Sequence, residues 1–139
     1  MRRCLILANQ TLGGPHLIQA VLARQAREPY EFHIVVPATH EHGASMWTEG
    51  QAQAHAREAL QAALARFLDA GVPASGEVGD ENPMLAAGDA LRRQPFDEII
   101  VSTLPPGASR WMKRDLPNRL LRKYGLPVAH LTAAPEPVS

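Results

Sequence analysis

Phe96-Asp97-Glu98-Ile99-Ile100-Val101 runs directly into Ser102-Thr103-Leu104-Pro105-Pro106-Gly107-Ala108-Ser109. The first stretch ends in consecutive β-branched residues, the pattern of a strand buried on both faces of a parallel sheet. The second is rich in hydroxyls, Pro and Gly, and reads as the loop at that strand's C-terminal end. The same punctuation recurs outward from it. Cys4-Leu5-Ile6-Leu7-Ala8 is a continuous apolar run that breaks at Asn9-Gln10-Thr11. Phe32 to Val36 is a second such run, stopped by Pro37. Ala74 to Val78 is weaker and suits a strand at or near an edge, and Pro127 to Leu131 is the last. Between these runs the period changes to that of a helix. Leu17, Ile18, Val21 and Leu22 predict a helix over 15–27, with Pro15 in its first turn. Residues 39–50 read as a polar loop, followed by an alanine-rich helix from about Gln51 to Ala70. Its apolar stripe is predicted at Leu60, Leu64, Phe67 and Leu68, with Gly71 closing it. Pro83 to Arg93 predicts a helix with Leu85 and Leu91 inward, and a final helix reaches Tyr124 with Pro117 in its first turn. The resulting order, βαβαβαβαβ, predicts an α/β fold: a doubly wound, five-stranded parallel sheet with right-handed crossovers and helices on both faces.

Composition sets bounds on function. The 139 residues suit one domain, expected over 1–134, with 135–139 a flexible tail. Such a domain buries roughly two thirds of the surface of its unfolded chain, so neither disulfide nor metal is needed to fold it. The one cysteine, Cys4, cannot pair within the chain and fits a reducing compartment. The Cys4 to Ala8 run is too short for a signal peptide core or a membrane span, so the expected location is cytoplasmic. Fourteen basic residues balance 14 acidic ones. Net charge therefore points to neither nucleic acid nor an anionic membrane as a partner, and any anion site must be local.

The order of elements, the loop after the fourth strand and the closing Lys123-Tyr124-Gly125-Leu126-Pro127-Val128 together resemble the universal stress protein family, over about residues 3–132. The resemblance implies strand order 3-2-1-4-5. It also implies ATP or another adenine nucleotide in the crevice at the C-terminal strand ends, and a homodimer made by antiparallel pairing of the last strands, here Val128 to Leu131. The family's nucleotide motif is G-x-x-G followed further on by Gly and then Ser or Thr; glycine lets backbone amides approach phosphates. Here only Gly107 matches. Pro105 and Pro106 lack the amide hydrogens a phosphate would use, Asp115-Leu116 stands at the later Gly-Ser position, and Asn9 replaces the acid after the first strand. ATP affinity is accordingly expected to be weak. The candidate ligand-binding residues are Ala8, Asn9, Thr11, Val36, Gly79, Ser102, Thr103, Gly107, Ser109 and Arg110, for a small phosphorylated ligand.

Other groupings have bland alternatives. Arg110, Lys113, Arg114, Arg119, Arg122 and Lys123 could hold a phosphate, but charge runs are usually solvated helix faces. His40-Glu41-His42 alternates in a loop with no third ligand, so no metal is expected. His33 and His130 are expected to be partly buried strand residues. Trp47 and Trp111 flank crevice loops, where each packs or stacks on a base. Asp80 either accepts from a ribose hydroxyl or N-caps the next helix. No nucleophile–base pair is legible along the chain, so catalysis is not expected.

Overall fold

The computed structural model describes residues 1–8, 11–12, 14–38, 41–42, 45–46, 48–103, 111 and 115–132. Strand β1 (Arg2–Leu7) leads to helix α1 (Pro15–Arg27) and strand β2 (Tyr30–Pro37). Two short strands follow, β3 (Glu41–His42) and β4 (Ser45–Met46), then the long helix α2 (Glu49–Asp69). Strand β5 (Ala74–Gly79), helix α3 (Pro83–Arg93) and strand β6 (Glu98–Thr103) come next. Helix α4 (Leu116–Tyr124) and strand β7 (Val128–Thr132) close the chain's described part.

The main sheet has five strands in the order β5-β2-β1-β6-β7. Every pairing in it is parallel. Counted within this sheet, the order is 3-2-1-4-5, as expected. The side-chain alternation of a strand divides the core into two layers. Cys4, Ile6, Val36 and Ile100 face one way, onto Leu17 and Val21 of α1 and Ala56, Leu60, Ala63 and Phe67 of α2. Leu5, Leu7, Val35, Ile99 and Val101 face the other, onto Ala86, Ala87 and Ala90 of α3 and Leu116 and Leu120 of α4. Both faces are covered, so the central strands have no polar side and read as unbroken apolar runs.

Several local expectations are corrected. Residues 39–50 are not all loop: β3 and β4 pair antiparallel, and α2 begins at Glu49. The start of α2 is set by a capping box, with Thr48 Oγ1 accepting from the Gln51 amide at 3.2 Å and the Gln51 side chain accepting from the Thr48 amide at 2.9 Å. The inward stripes of α2 and α3 are largely alanine. Leu68 and Leu85 are 65% and 52% exposed, while Ala56, Ala63, Ala86 and Ala90 pack in the core. His130 is exposed rather than partly buried. Asn82, not Asp80, caps α3: its Oδ1 accepts from the Met84 amide at 2.9 Å, and Asp80 accepts from the Asn82 amide at 2.9 Å.

At the N-terminal end of the sheet Glu98 is buried, held by Arg24 at 3.5 Å. The Tyr30 phenol pKa is raised by burial and then by the neighbouring Glu98 carboxylate. Cys4 lies beside it in register, and burial pushes its thiol far above the ordinary range. Cys4 is therefore a packed apolar residue and not a reactive one.

Candidate functional site

The strand order reverses between β1 and β6, so their C-terminal ends open on a crevice, the usual ligand position in such sheets. Strand β6 ends in Ser102 and Thr103, which by alternation point to opposite faces. Ser102 Oγ lies 2.5 Å from Thr11 Oγ1 and 2.8 Å from His16 Nε2. Thr103 Oγ1 lies 2.7 Å from Nε2 of His130, on β7. Two histidines thus bind the two neighbouring hydroxyls, one on each face of the sheet.

The loop between β1 and α1 is arranged to make this contact. Ala8 donates its amide to Val35 O at 3.3 Å, and Gly14 donates to Thr11 O at 3.1 Å. Arg66 of α2 donates to Leu12 O at 3.1 Å, which ties the loop to a second helix. Pro15 opens α1 and His16 follows it, which brings the imidazole to Ser102. The His16 ring lies against Gly14, where a β-carbon would collide with its Nδ1 and Cε1. Burial lowers the His16 pKa, so the ring is neutral at neutral pH and has one donor and one acceptor nitrogen. Thr11 and Ser102 are 4% and 1% exposed. Their hydroxyls are already satisfied by each other and by His16.

Of the residues read from sequence, Thr11 and Ser102 are brought together here. Ala8 and Val36 are fully buried at the ends of β1 and β2. Gly79 serves packing: a β-carbon there would lie 2.8 Å from Ala86 Cβ and 3.1 Å from Val35 Cγ1. Its carbonyl accepts from the Ala38 amide at 3.1 Å. Asn9, Gly107, Ser109 and Arg110 lie outside the described residues, as do Pro105, Pro106, Lys113, Arg114, His40 and Trp47. Arg119, Arg122 and Lys123 are exposed on α4, a solvated face. Trp111 is half-buried against the core. Asp115 adopts a left-handed backbone (φ 53°), and its carboxylate accepts from the Asn118 amide group at 3.0 Å. Among the described residues no three metal-ligating side chains gather. No helix among them is long and apolar enough to cross a membrane.

Sequence reading missed His16 and His130, whose partners lie 86 and 27 residues away. It also missed a third histidine–hydroxyl contact, between Ser75 and His33, two residues in register on neighbouring strands.

No family model and no curated protein matches the chain in sequence. Solved structures do match in shape. A protein of the universal stress protein family from Burkholderia pseudomallei superposes with a TM-score of 0.63 at 17% identity, over 93% of this chain and 94% of that one. A universal stress protein family protein from Arabidopsis thaliana with AMP bound also gives 0.63, at 7% identity, over 100% of this chain and 97% of that one. The fold is that of the universal stress proteins. With identity this low, the universal stress protein architecture is carried by the apolar pattern of strands and helices and not by shared motifs.

Proposed function

We propose that this protein is a stress-response module that holds an adenine nucleotide, or another phosphorylated small molecule, in the crevice between β1 and β6 without turning it over quickly. The observation that carries the reading is the gathering of Thr11 and Ser102 where the strand order reverses. The structural neighbour with AMP bound supports it by analogy of fold. Because these hydroxyls are engaged with each other and with His16, an incoming phosphate must displace existing hydrogen bonds. That makes binding weak. The buried free thiol of Cys4 agrees with a cytoplasmic location.

Calorimetry with AMP and ATP tests the reading. The expected dissociation constant is weaker than about 1 μM, with no ADP formed from ATP. Ser102→Ala should weaken binding, and Asp115→Ser should strengthen it by removing a carboxylate from the start of α4. Failure of either nucleotide to bind at about 1 mM overturns the reading.

A second reading, opposed to the first, is a homodimeric interaction protein joined through β7 whose degenerate crevice binds no nucleotide. It rests on the position of β7 at the end of the sheet, with Val128 and Leu131 half-buried.

A further inference from the structure

The register of β2 and β5 aligns His33 with Ser75 and Val35 with Glu77. Ser75, His33 and Glu77 therefore share the face of the sheet beside α3, at its β5 end. His33 Nδ1 lies 2.7 Å from Ser75 Oγ, and His33 Nε2 lies 2.9 Å from Glu77 Oε2. Arg93 of α3 bonds the other carboxylate oxygen of Glu77. The His33 side chain is buried and lies against the Phe96 ring at 6.1 Å between centroids, whereas Ser75 is exposed.

We infer that Ser75, His33 and Glu77 form a nucleophile–base–acid relay that makes Ser75 reactive toward small esters. The hydrogen bonds fix the roles. Glu77 is an ionised acceptor, because the hydrogen bonds from Arg93 and His33 outweigh the burial that would raise its pKa. A carboxylate can only accept, so His33 Nε2 carries the proton. With the proton on Nε2, the form of the ring that acts as a base presents the Nδ1 lone pair to the Ser75 hydroxyl, which donates to it. This is the arrangement an activated serine requires: nucleophile on base, base oriented by a third group. It uses the two ring nitrogens in the opposite sense to the serine proteases, which the proton transfer tolerates.

An electrophilic donor is also at hand. The Ala38 amide donates to Gly79 O, so the odd residues of β5 point their amides to β2. The amide of Gly76, next to the nucleophile, therefore faces away from β2, where it can donate to a developing oxyanion. The chemistry closes without a co-reactant other than water. Ser75 Oγ bonds the ester carbonyl carbon as its proton passes to His33 Nδ1. The tetrahedral oxyanion collapses, the C–O bond breaks, and the alcohol leaves with that proton. Water then attacks the acyl-serine, giving its proton to His33, and the acid departs as Ser75 recovers its own.

Diisopropyl fluorophosphate is the probe. In its reaction the Ser75 Oγ–P bond forms, the P–F bond breaks, fluoride leaves, and the hydroxyl proton passes through His33 to solvent. The folded wild-type protein should take up one adduct, mapped to Ser75 by peptide mass spectrometry, and none after unfolding in urea. His33→Gln should slow labelling by about 100-fold or more, and Ser75→Ala should abolish it. The same wild-type protein should release p-nitrophenolate from p-nitrophenyl acetate with a burst that Ser75→Ala removes. Absence of an adduct on Ser75 in the folded wild type overturns the inference, whatever the variants do. So does labelling of Ser75 at an equal rate in urea, or in a folded His33→Gln.

Discussion

Gly79 shows how a residue can be read correctly in place and differently in role. It ends β5 at the crevice, yet the missing β-carbon is what lets α3 approach the sheet at Ala86. Gly79→Ala would force Ala86 and Val35 apart and should destabilise the fold by about 1–3 kcal/mol, read from urea denaturation. A change within experimental error would mean that α3 is held loosely there. His16 gives a pH test of the site. Burial lowers its pKa, so the unfolded chain, near 6.5, takes up a proton before the folded one does. Its contribution to stability is complete above that value. It falls as pH drops through the window down to the folded pKa, and is level below it. Between about pH 7.5 and pH 5 the wild type should therefore lose more stability than His16→Gln, which keeps a polar group for Ser102. Equal losses in urea titrations would remove His16 from the account. Ser102, Thr103 and Thr11 were legible because they stand where apolar runs end. His16 was not, since it lies in a helical segment and its partner is 86 residues distant. The His33–Ser75–Glu77 relay could have been found: once strands two and three are taken as neighbours, alternation places all three on one face.

Helices and strands differed in how openly the sequence declares them. Runs such as Cys4 to Ala8 and Ile99 to Val101 are unambiguous because both faces of the sheet are covered. The helix stripes were misassigned where alanine, not leucine, meets the sheet. Small side chains permit close helix–sheet contact, which leaves Leu68 and Leu85 to solvent. Hydrophobicity ranks leucine first for burial, and the local geometry here selects size instead. The stretch before α2 was read as loop because it is polar, although Thr48 and Gln51 carry the spacing of a capping box. Thr48→Ala should cost about 0.5–2 kcal/mol, since Gln51 and its neighbours would lose an acceptor for an unpaired amide. Because α2 supplies Leu60, Ala63 and Phe67 to the core, this loss should appear in global thermal unfolding and not as local fraying. An unchanged midpoint would show that the first turn of α2 is uncoupled from the core.

The whole molecule was the most legible scale, since alternating strands and helices admit few topologies once crossovers are right-handed and ligands sit at strand ends. Assembly was expected there too, and the register now gives it a sharper test. Strand β7 ends the sheet, with β6 on one side. The Ile99 amide donates to Pro127 O at 2.9 Å, so residues 127, 129 and 131 turn their backbone groups to β6. The amides of Val128 and His130 therefore face outward, along an edge with no lysine, aspartate or central proline to block pairing. A two-fold axis beside the strand would join it antiparallel to its copy, each outward amide meeting a carbonyl of its mate. Val128→Pro removes one of these outward donors and leaves the β6 ladder intact. Leu131→Lys adds a charge to the same half-buried edge. Sedimentation of the wild type at micromolar concentration should show a dimer, and the Val128→Pro/Leu131→Lys variant should sediment as a folded monomer with the wild-type circular dichroism spectrum. A wild-type monomer, or a variant that stays fully dimeric, would move the interface away from β7.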